Sequence, residues 1–250
     1  MRFPHGLVFH HFHNAFHPAG QGSLSGNDFE CLLDYVGLDN ILSADEWFDR
    51  ALHGKLTSTD KCITFDDNLR CQFDIALPVL NKLKKTAFWF VYTSPLHGKI
   101  EKLELYRYFR STMFSSANNF YERFYDYLAN TPLKSRATRK LKEIDLARYL
   151  GNKPFYSLED RKFRYIRNNI LTSEEYDKIM GQMIEDAGLD EAAVSKKLWM
   201  DRKCLRTLKD TGHIVGLHSH SHPTDIKTLS LKQQHQEYST NLDTLRACLG

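Results

Sequence analysis

Short apolar runs alternate with amphipathic stretches over the first third of the chain. The runs GLVFHHF at 6–12, KCITF at 61–65 and TAFWFVYTS at 86–94 predict strands, because short apolar runs between polar segments are typical of buried strands. Residues 27–36 and 70–84 lie between them and carry apolar side chains at mostly helical spacing. This alternation predicts an α/β fold with a parallel sheet, whose functional residues collect at the carboxyl ends of the strands.

The pattern changes in the middle of the chain. From about Pro95 to Lys197 it consists of long charged and aromatic segments, such as EKLELYRYFRSTMF and NNFYERFYDYLAN, with few strand signals. A strand pattern returns at HIVGL, residues 213–217, and a helical pattern then runs to the end of the chain. The sequence therefore predicts a helical insertion at 95–197 between two parts of one α/β domain, 1–94 and 198–250.

Capping signals and aromatic spacing refine this picture. Three pairs of a capping residue and a glutamate three positions later predict helix starts: Asn27 with Glu30, Ser43 with Glu46, and Thr172 with Glu175. The insertion is rich in aromatic residues, which either line a sugar-binding lid or, as their helical spacing favours, form the core of a subdomain: Tyr106, Phe109, Phe114, Phe120, Tyr121, Phe124 and Tyr125.

Composition narrows the classes of protein. The 250 residues include 42% hydrophobic residues, enough for a packed core, and the net charge of +3 gives no reason to expect a nucleic-acid partner. The five cysteines form no CxxC pair, and no run approaches the roughly 18 apolar residues of a membrane span. The first residues do not resemble a signal peptide, so we expect a cytoplasmic protein; the oligomeric state is not predicted.

The stretch GLHSHSHP, residues 216–223, suggests metal chemistry. In an extended strand His218 and His222 would lie about 13 Å apart, because each residue rises about 3.3 Å. A helical turn after the strand would instead bring residues i and i+4 within roughly 6 Å of each other. In that case His218 and His222 converge on one point and His220 points elsewhere.

A carboxylate for the same site is predicted at CITFDDN, residues 62–68. Asp66 and Asp67 follow a buried strand at its carboxyl end, so one can hold a metal while its neighbour stays free. Two histidines and one carboxylate suit a divalent metal, with zinc favoured and cobalt, nickel or iron also compatible. Such a set leaves coordination positions open, which indicates catalysis more often than structure.

The pair of motifs TFDDN and HSHSHP, each after a strand, resembles the first two motifs of the polysaccharide deacetylase family, the NodB-like carbohydrate esterases. The resemblance covers roughly residues 5–94 and 198–250. It implies that Asp66 is the catalytic base, that Asp67, His218 and His222 are metal ligands, and that the substrate is an N-acetylated sugar or polysaccharide. It also implies a distorted (β/α)7-type barrel.

Two departures from the family pattern bear on these expectations. Asn68 stands where the family has glycine, and asparagine is one of the few residues that tolerate a left-handed backbone. The family's later motifs, including a histidine that acts as general acid, would fall beyond Gly250. The barrel is therefore expected to be incomplete at its C-terminus, and the sequence identifies no general acid.

Other histidines leave alternatives open. His10, His11, His13 and His17 either form a second metal site or, as we favour, bind no metal, with one or two rings contacting substrate or simply hydrogen-bonded near the sheet end. Weak substrate-binding candidates are His11, His13, Ser219 and His220. The predicted function is a metal-dependent deacetylase of an amino sugar. The alternatives are a carbohydrate-binding relative without activity and a hydrolase of a non-sugar amide.

Overall fold

The computed structural model of the chain describes residues 3–250. It divides into two compact units, one formed by the residues up to Glu101 together with Ala192–Gly250, the other by Lys102–Glu191. Each unit has its own core and is described separately below.

The first unit is built on a parallel sheet. Its strands are β1 (His5–Phe9), β2 (Lys61–Phe65), β3 (Phe88–Val91) and β4 (Ile214–Leu217), arranged in the order β1-β2-β3-β4. The register pairs Phe9 with Phe65 and Val91 with Leu217, so β1 ends level with β2, and β3 ends level with β4. Phe65 pairs with Trp89, so β3 and β4 run two residues farther toward the same edge. The predicted α/β class with a parallel sheet is confirmed. The first strand is shorter than predicted and ends at Phe9 rather than at residue 12.

The helices occupy the remaining regular parts of the described chain. They are α1 (Gly26–Val36), α2 (Ala44–Leu52), α3 (Leu77–Leu83), α4 (Lys102–Met113), α5 (Ala117–Ala129), α6 (Lys134–Lys142), α7 (Leu158–Tyr165), α8 (Ser173–Asp186), α9 (Glu191–Leu198), α10 (Arg202–Asp210) and α11 (Leu231–Leu249). Two π-helical turns, Gln72–Ala76 and Ile166–Ile170, interrupt this pattern. The first of them lies directly before α3, within the stretch 70–84 that was predicted to be helical.

The central strands explain the sheet's stability. Residues 62–65 of β2 are all buried, as expected for a strand covered on both faces. The Phe65 and Trp89 rings stack at 4.2 Å, and each fully buried side chain of this size contributes about 2–3 kcal/mol. Position 216 in β4 requires glycine for steric reasons, because a Cβ atom there would lie 2.7 Å from the Phe90 ring.

One of the three predicted helix starts is misplaced. Helix α1 begins with a capping box between Ser25 and Asp28, two residues before the predicted pair of Asn27 and Glu30. The start of α2 is confirmed, since Ser43 is its N-cap, although the Ser43 side chain makes no capping hydrogen bond. The third pair is confirmed, since Thr172 and Glu175 form a capping box at the start of α8. The errors at α1 arose because several polar residues precede that helix and any of them could cap it.

The second unit is helical and has an aromatic core. The Phe163 ring packs within 5.3 Å of the rings of Phe120, Tyr121 and Phe124. Phe109 and Phe120 are fully buried, and Phe114 makes edge contacts with both. These contacts favour the interpretation that the aromatic residues form the core of a subdomain over the interpretation that they line a sugar-binding lid. No helix among residues 3–250 has the length and apolarity needed to cross a membrane.

Candidate metal centre

The carboxyl ends of the four strands bring polar side chains together. His10, Asp66, Tyr92 and His218 are each the first residue after a strand, following β1, β2, β3 and β4 respectively. Because the strands are parallel, these four positions lie along the same edge of the sheet, with Tyr92 and His218 two residues beyond the level of His10 and Asp66. The edge therefore carries two histidines and a carboxylate before any loop contributes.

Asp67, His218 and His222 form the cluster that the sequence predicted. Asp67 Oδ1 lies 3.2 Å from His218 Nε2 and 3.2 Å from His222 Nε2. Ligand atoms about 2.1 Å from a tetrahedral ion lie about 3.4 Å apart, so these separations suit a common cation. Within the described chain, this is the group of three side chains whose possible ligand atoms all lie within 4.8 Å of one another. The donor set and its spacing fit a divalent metal.

Residues with left-handed backbone angles bring Asp67, His218 and His222 together. Asp67 and Asn68 have φ angles of 77° and 57°, and Ser219 and His222 have φ angles of 66° and 55°. Such angles cost a non-glycine residue about 1–2 kcal/mol, and they concentrate at functional sites. The predicted helical turn between His218 and His222 is wrong: the loop instead reverses through two left-handed residues, and the Ser219 hydroxyl accepts the backbone N–H of His222 at 3.2 Å.

Two buried amides fix the strand ends. Gln72 donates from Nε2 to the backbone oxygens of His10 at 2.8 Å and Asp66 at 2.6 Å, which ties the ends of β1 and β2 together. Asn241 on α11 donates to the backbone oxygen of Val91 at 2.9 Å and accepts the backbone N–H of His218 at 3.1 Å. Both side chains are almost fully buried, so water has little access to the two amide groups.

Glu237 holds the histidine loop from the same face of α11. Its carboxylate accepts the backbone N–H groups of His220 at 2.9 Å and Ser221 at 2.7 Å, and the Ser221 hydroxyl at 2.6 Å. Burial raises the pKa of Glu237, but these hydrogen bonds outweigh it and the pKa is lowered. Neither Glu237 nor Asn241 was predicted as a residue of the site. Their spacing of four residues on one helix was the signal for them in the sequence.

An aromatic pair backs the second histidine. The Tyr92 ring stacks on the His222 ring at 4.8 Å, and the Trp199 indole N–H donates to the Tyr92 hydroxyl. The Tyr92 and Trp199 side chains are buried. His222 is thus held at its backbone by Ser219 and at its ring by Tyr92, which restricts its rotamer.

The two aspartates have different environments. Burial raises the pKa of Asp66, and the positive charge of His218 opposes this without reversing it. Burial also raises the pKa of Asp67, but hydrogen bonds from His218 and His222 reverse the effect, and its pKa lies far below the usual range. Asp67 is therefore suited to remain an anion, and Asp66 is better suited to accept a proton.

His10 also lies at the centre; the sequence predicted it only as one member of the histidine cluster at positions 10–17. Its Nε2 lies 3.7 Å from Asp66 Oδ2 and 3.8 Å from Asp67 Oδ2, and its side chain is 45% exposed. The register of β1 against β2 explains its position. Phe9 pairs with Phe65, so the next residues, His10 and Asp66, are neighbours.

The four weak substrate-binding candidates lie in different surroundings. His13 Nδ1 hydrogen-bonds Ser23 Oγ at 2.9 Å, and the His11 ring lies parallel to the His10 ring at 6.3 Å. Ser219 is buried and holds the loop. His220 turns away from His218, with its Nδ1 hydrogen-bonded to Thr93 Oγ1 at 2.9 Å. Burial lowers the pKa of His220. Substrate binding by these residues stays a prediction.

Comparisons with known proteins bear on the fold. No family model matches the chain, and no curated protein matches it. Among solved structures, the chain is similar to the Streptococcus pyogenes deacetylase PplD in complex with acetate, with a TM-score of 0.50, 14% identity, and coverage of 100% of this chain and 70% of that one. IcaB from Ammonifex degensii gives a TM-score of 0.46, 13% identity, and coverage of 99% and 68%. The chain thus has the fold of a solved deacetylase, as the motif resemblance implied.

Proposed function

We propose that the chain is a metal-dependent deacetylase that hydrolyses the N-acetyl group of an amino sugar in a polysaccharide or its precursor. The observation that carries this proposal is the convergence of Asp67, His218 and His222 at 3.2 Å, with a second carboxylate, Asp66, beside it. The deacetylase fold supports it, and the acetate in the PplD structure is the product that this reaction would release.

Asp67, His218 and His222 would hold the divalent cation, with zinc the best match to the donor set and cobalt, nickel or iron as alternatives. Bound there, the cation would polarise the acetyl carbonyl and lower the pKa of a water molecule. Neighbouring residues would keep the metal ligands rigid, because Asn241, Ser219 and Tyr92 fix the two histidines.

Asp66 would act as the general base and take a proton from the attacking water. It lies outside the set of three ligands, and burial raises the pKa of its carboxyl toward the range in which a base is effective near neutral pH. Gln72 holds the Asp66 backbone oxygen and thereby fixes the position of this residue relative to β1.

His10 would protonate the departing amine. Its Nε2 faces both carboxylates at 3.7–3.8 Å, and its half-exposed ring can reach a substrate lying over the sheet edge. An amine leaving group needs a proton as the C–N bond breaks, and a positioned imidazole contributes typically about 10²–10⁴-fold to such a step. This assigns a general acid within the described chain.

Metal content and acetate release test the ligands and the base. We expect the chain to bind one divalent ion, to release acetate from N-acetylglucosamine oligomers, and to lose activity on chelation and regain it with zinc or cobalt. Asp67→Asn should lose metal and activity together, whereas Asp66→Asn should keep the metal and lose activity. His53→Ala, at an exposed ring on the C-terminal end of α2, is the matched control and should change neither. A bound metal without acetate release would favour a carbohydrate-binding protein, and no bound metal would overturn the proposal.

The role of His10 has a separate test. His10→Gln should lose about 10²-fold or more of its activity on an N-acetyl sugar while keeping the metal. On 4-nitrophenyl acetate, whose leaving group needs no proton, it should keep most of its activity. An equal loss on both substrates would exclude His10 as the proton donor.

A further inference from the structure

Four arginines of the helical unit line one small cavity. Arg107 and Arg110 lie three residues apart on α4, and Arg164 and Arg167 lie three residues apart on α7 and the π-helical turn that follows it. The cavity has a volume of about 200 Å³. All four side chains belong to residues that are neither fully buried nor fully exposed. The cavity lies wholly within the second unit, apart from the candidate metal centre.

The charge of this cavity is not balanced by its own lining. Glu104 is the one acidic residue among the residues that line it, so four positive charges less one negative charge leave a net charge of +3. Neither Arg110 nor Arg167 belongs to an ion pair within residues 3–250. Like charges three residues apart on a helix repel each other, so the cluster destabilises the unit unless an anion offsets it.

Nearby carboxylates are engaged elsewhere. Asp160 accepts the hydroxyl of Tyr121 and caps α7 through Ser157. Asp177 accepts the hydroxyl of Tyr106 at 2.8 Å and pairs with Lys102 at 2.7 Å. Asp160 and Asp177 therefore have other hydrogen-bond partners, so an anion from solution is the countercharge available to Arg110 and Arg167.

Aromatic rings orient two of the guanidinium groups. Arg164 lies over the Tyr156 ring at 4.0 Å, and Arg167 lies over the Phe163 ring at 5.9 Å. A guanidinium stacked on a ring keeps its N–H donors at its edge, in the plane where bidentate binding of a tetrahedral oxyanion occurs. Arg167 also lies in a π-helical turn, a rare element that occurs often at functional sites.

We propose that this cavity, hereafter the arginine cavity, binds a phosphate group. At about 30 Å³ for each water molecule, its volume corresponds to roughly seven waters, which leaves room for a phosphate and part of the group that carries it. The phosphate belongs either to free inorganic phosphate or to a phosphorylated sugar. This inference does not depend on the proposed deacetylase activity.

Titration of the full, metal-free chain with inorganic phosphate tests the proposal. We expect saturable binding by calorimetry and a higher melting temperature, with no equal effect from sodium chloride at matched ionic strength. Arg110→Gln with Arg167→Gln should weaken phosphate binding by tenfold or more. Arg148→Gln removes the same charge from a 91% exposed side chain of the same unit and should bind phosphate like the parent chain. Equal binding by the parent and the double variant, or an equal effect of chloride, would overturn the proposal.

Two further measurements keep the test independent of folding and of the metal centre. Because the double variant removes repelling charges, its melting temperature without phosphate should equal or exceed that of the parent chain; a lower one would overturn the repulsion argument. His218→Ala should bind phosphate unchanged, and a loss there would place the anion at the metal centre instead. Tighter binding of N-acetylglucosamine 6-phosphate than of phosphate would identify a sugar phosphate as the ligand, and equal binding would identify free phosphate.

Discussion

The turn after β2 and the loop after β4 both contribute candidate ligands, but they are held in different ways. The turn at 66–68 is fixed by neighbouring strand ends and by Gln72, only six residues from Asp66. The loop at 218–222 is fixed from α11, through Glu237 and Asn241, which are 16–23 residues farther along the chain. The carboxylate is therefore positioned mainly by local structure, and the histidines depend on tertiary packing.

This difference separates two ways of damaging the same centre. Disturbing α11 should release both histidines at once, because Asn241 holds the first residue of the loop and Glu237 its middle. Disturbing Gln72 should loosen the ends of β1 and β2 but leave the histidine loop in place. The variants below compare the two regions by stability and by metal affinity.

Replacing Asn241 should have the largest effect. Asn241→Leu keeps the side chain's shape but leaves the buried Val91 oxygen and the partly buried His218 N–H without their partner. Each unsatisfied buried group costs about 1–3 kcal/mol, so we expect a loss of about 3 kcal/mol in the free energy of unfolding by urea. Metal affinity should fall at least about tenfold. Gln236→Leu, at an exposed position of the same helix, is the control; an Asn241→Leu protein with parental metal affinity would contradict the dependence on α11.

Replacing Gln72 should affect stability more than metal binding. Gln72→Leu removes donors to the His10 and Asp66 oxygens, but the partly exposed edge lets water replace some of this, so we expect about 2 kcal/mol. Metal affinity should change less than in the Asn241 variant, since no bond to the histidine loop is lost. Asn81→Leu, at an exposed position of α3, is the control. A larger loss of metal affinity in Gln72→Leu than in Asn241→Leu would reverse our ranking of the two regions.

Replacing Glu237 should give a pH-dependent effect. Its pKa is lowered in the folded chain, so the carboxylate stabilises the fold above its unfolded pKa and this contribution is lost as the pH falls through the folded value. Glu237→Gln should therefore cost about 1–2 kcal/mol at pH 7 and less at pH 3. Urea unfolding at several pH values measures this, with Glu122→Gln on α5 as control. A deficit that grows toward low pH would show that the sign is wrong.

The sequence was sufficient for the local parts of this site and insufficient for the tertiary ones. Asp66 and Asp67 could be placed at a strand end because the apolar run directly before them predicts the strand that they follow. The position of His10 beside Asp66 was not predicted, because the predicted first strand continued to residue 12. With the strand ending at Phe9, the register places His10 beside Asp66.

The convergence of His218 and His222 was predicted for an incorrect reason. Spacing of four residues suggested a helical turn, whereas two left-handed residues produce the reversal. Such angles depend on bonds from elsewhere, here from Glu237 and Asn241, which no local pattern reveals. The arginine cavity was likewise not predictable, because the i, i+3 pairs on two helices gain their meaning only when the helices meet.

The smallest expected effect concerns Asn68 and sharpens the view that the turn after β2 is locally determined. Asn68 has a φ angle of 57° and is buried, and its Oδ1 has no hydrogen-bond partner. Asn68→Gly removes that unsatisfied oxygen and relieves the left-handed strain, but it also loses the weak Nδ2 bond to the Met200 oxygen at 3.5 Å. These effects nearly cancel, so we expect a change within about 1 kcal/mol in the free energy of unfolding.

Asn68→Ala is the matched comparison, because it loses the same bond and removes the same oxygen but keeps a Cβ atom in a left-handed backbone. It should be less stable than Asn68→Gly by about 1–2 kcal/mol, the cost of that conformation for an ordinary residue. Metal content should be parental in the glycine variant, since Asp67 keeps its own φ angle of 77° and its contacts with the two histidines. If alanine and glycine at position 68 prove equally stable, the turn is not held in the left-handed region, and the local origin of the carboxylate's position fails with it.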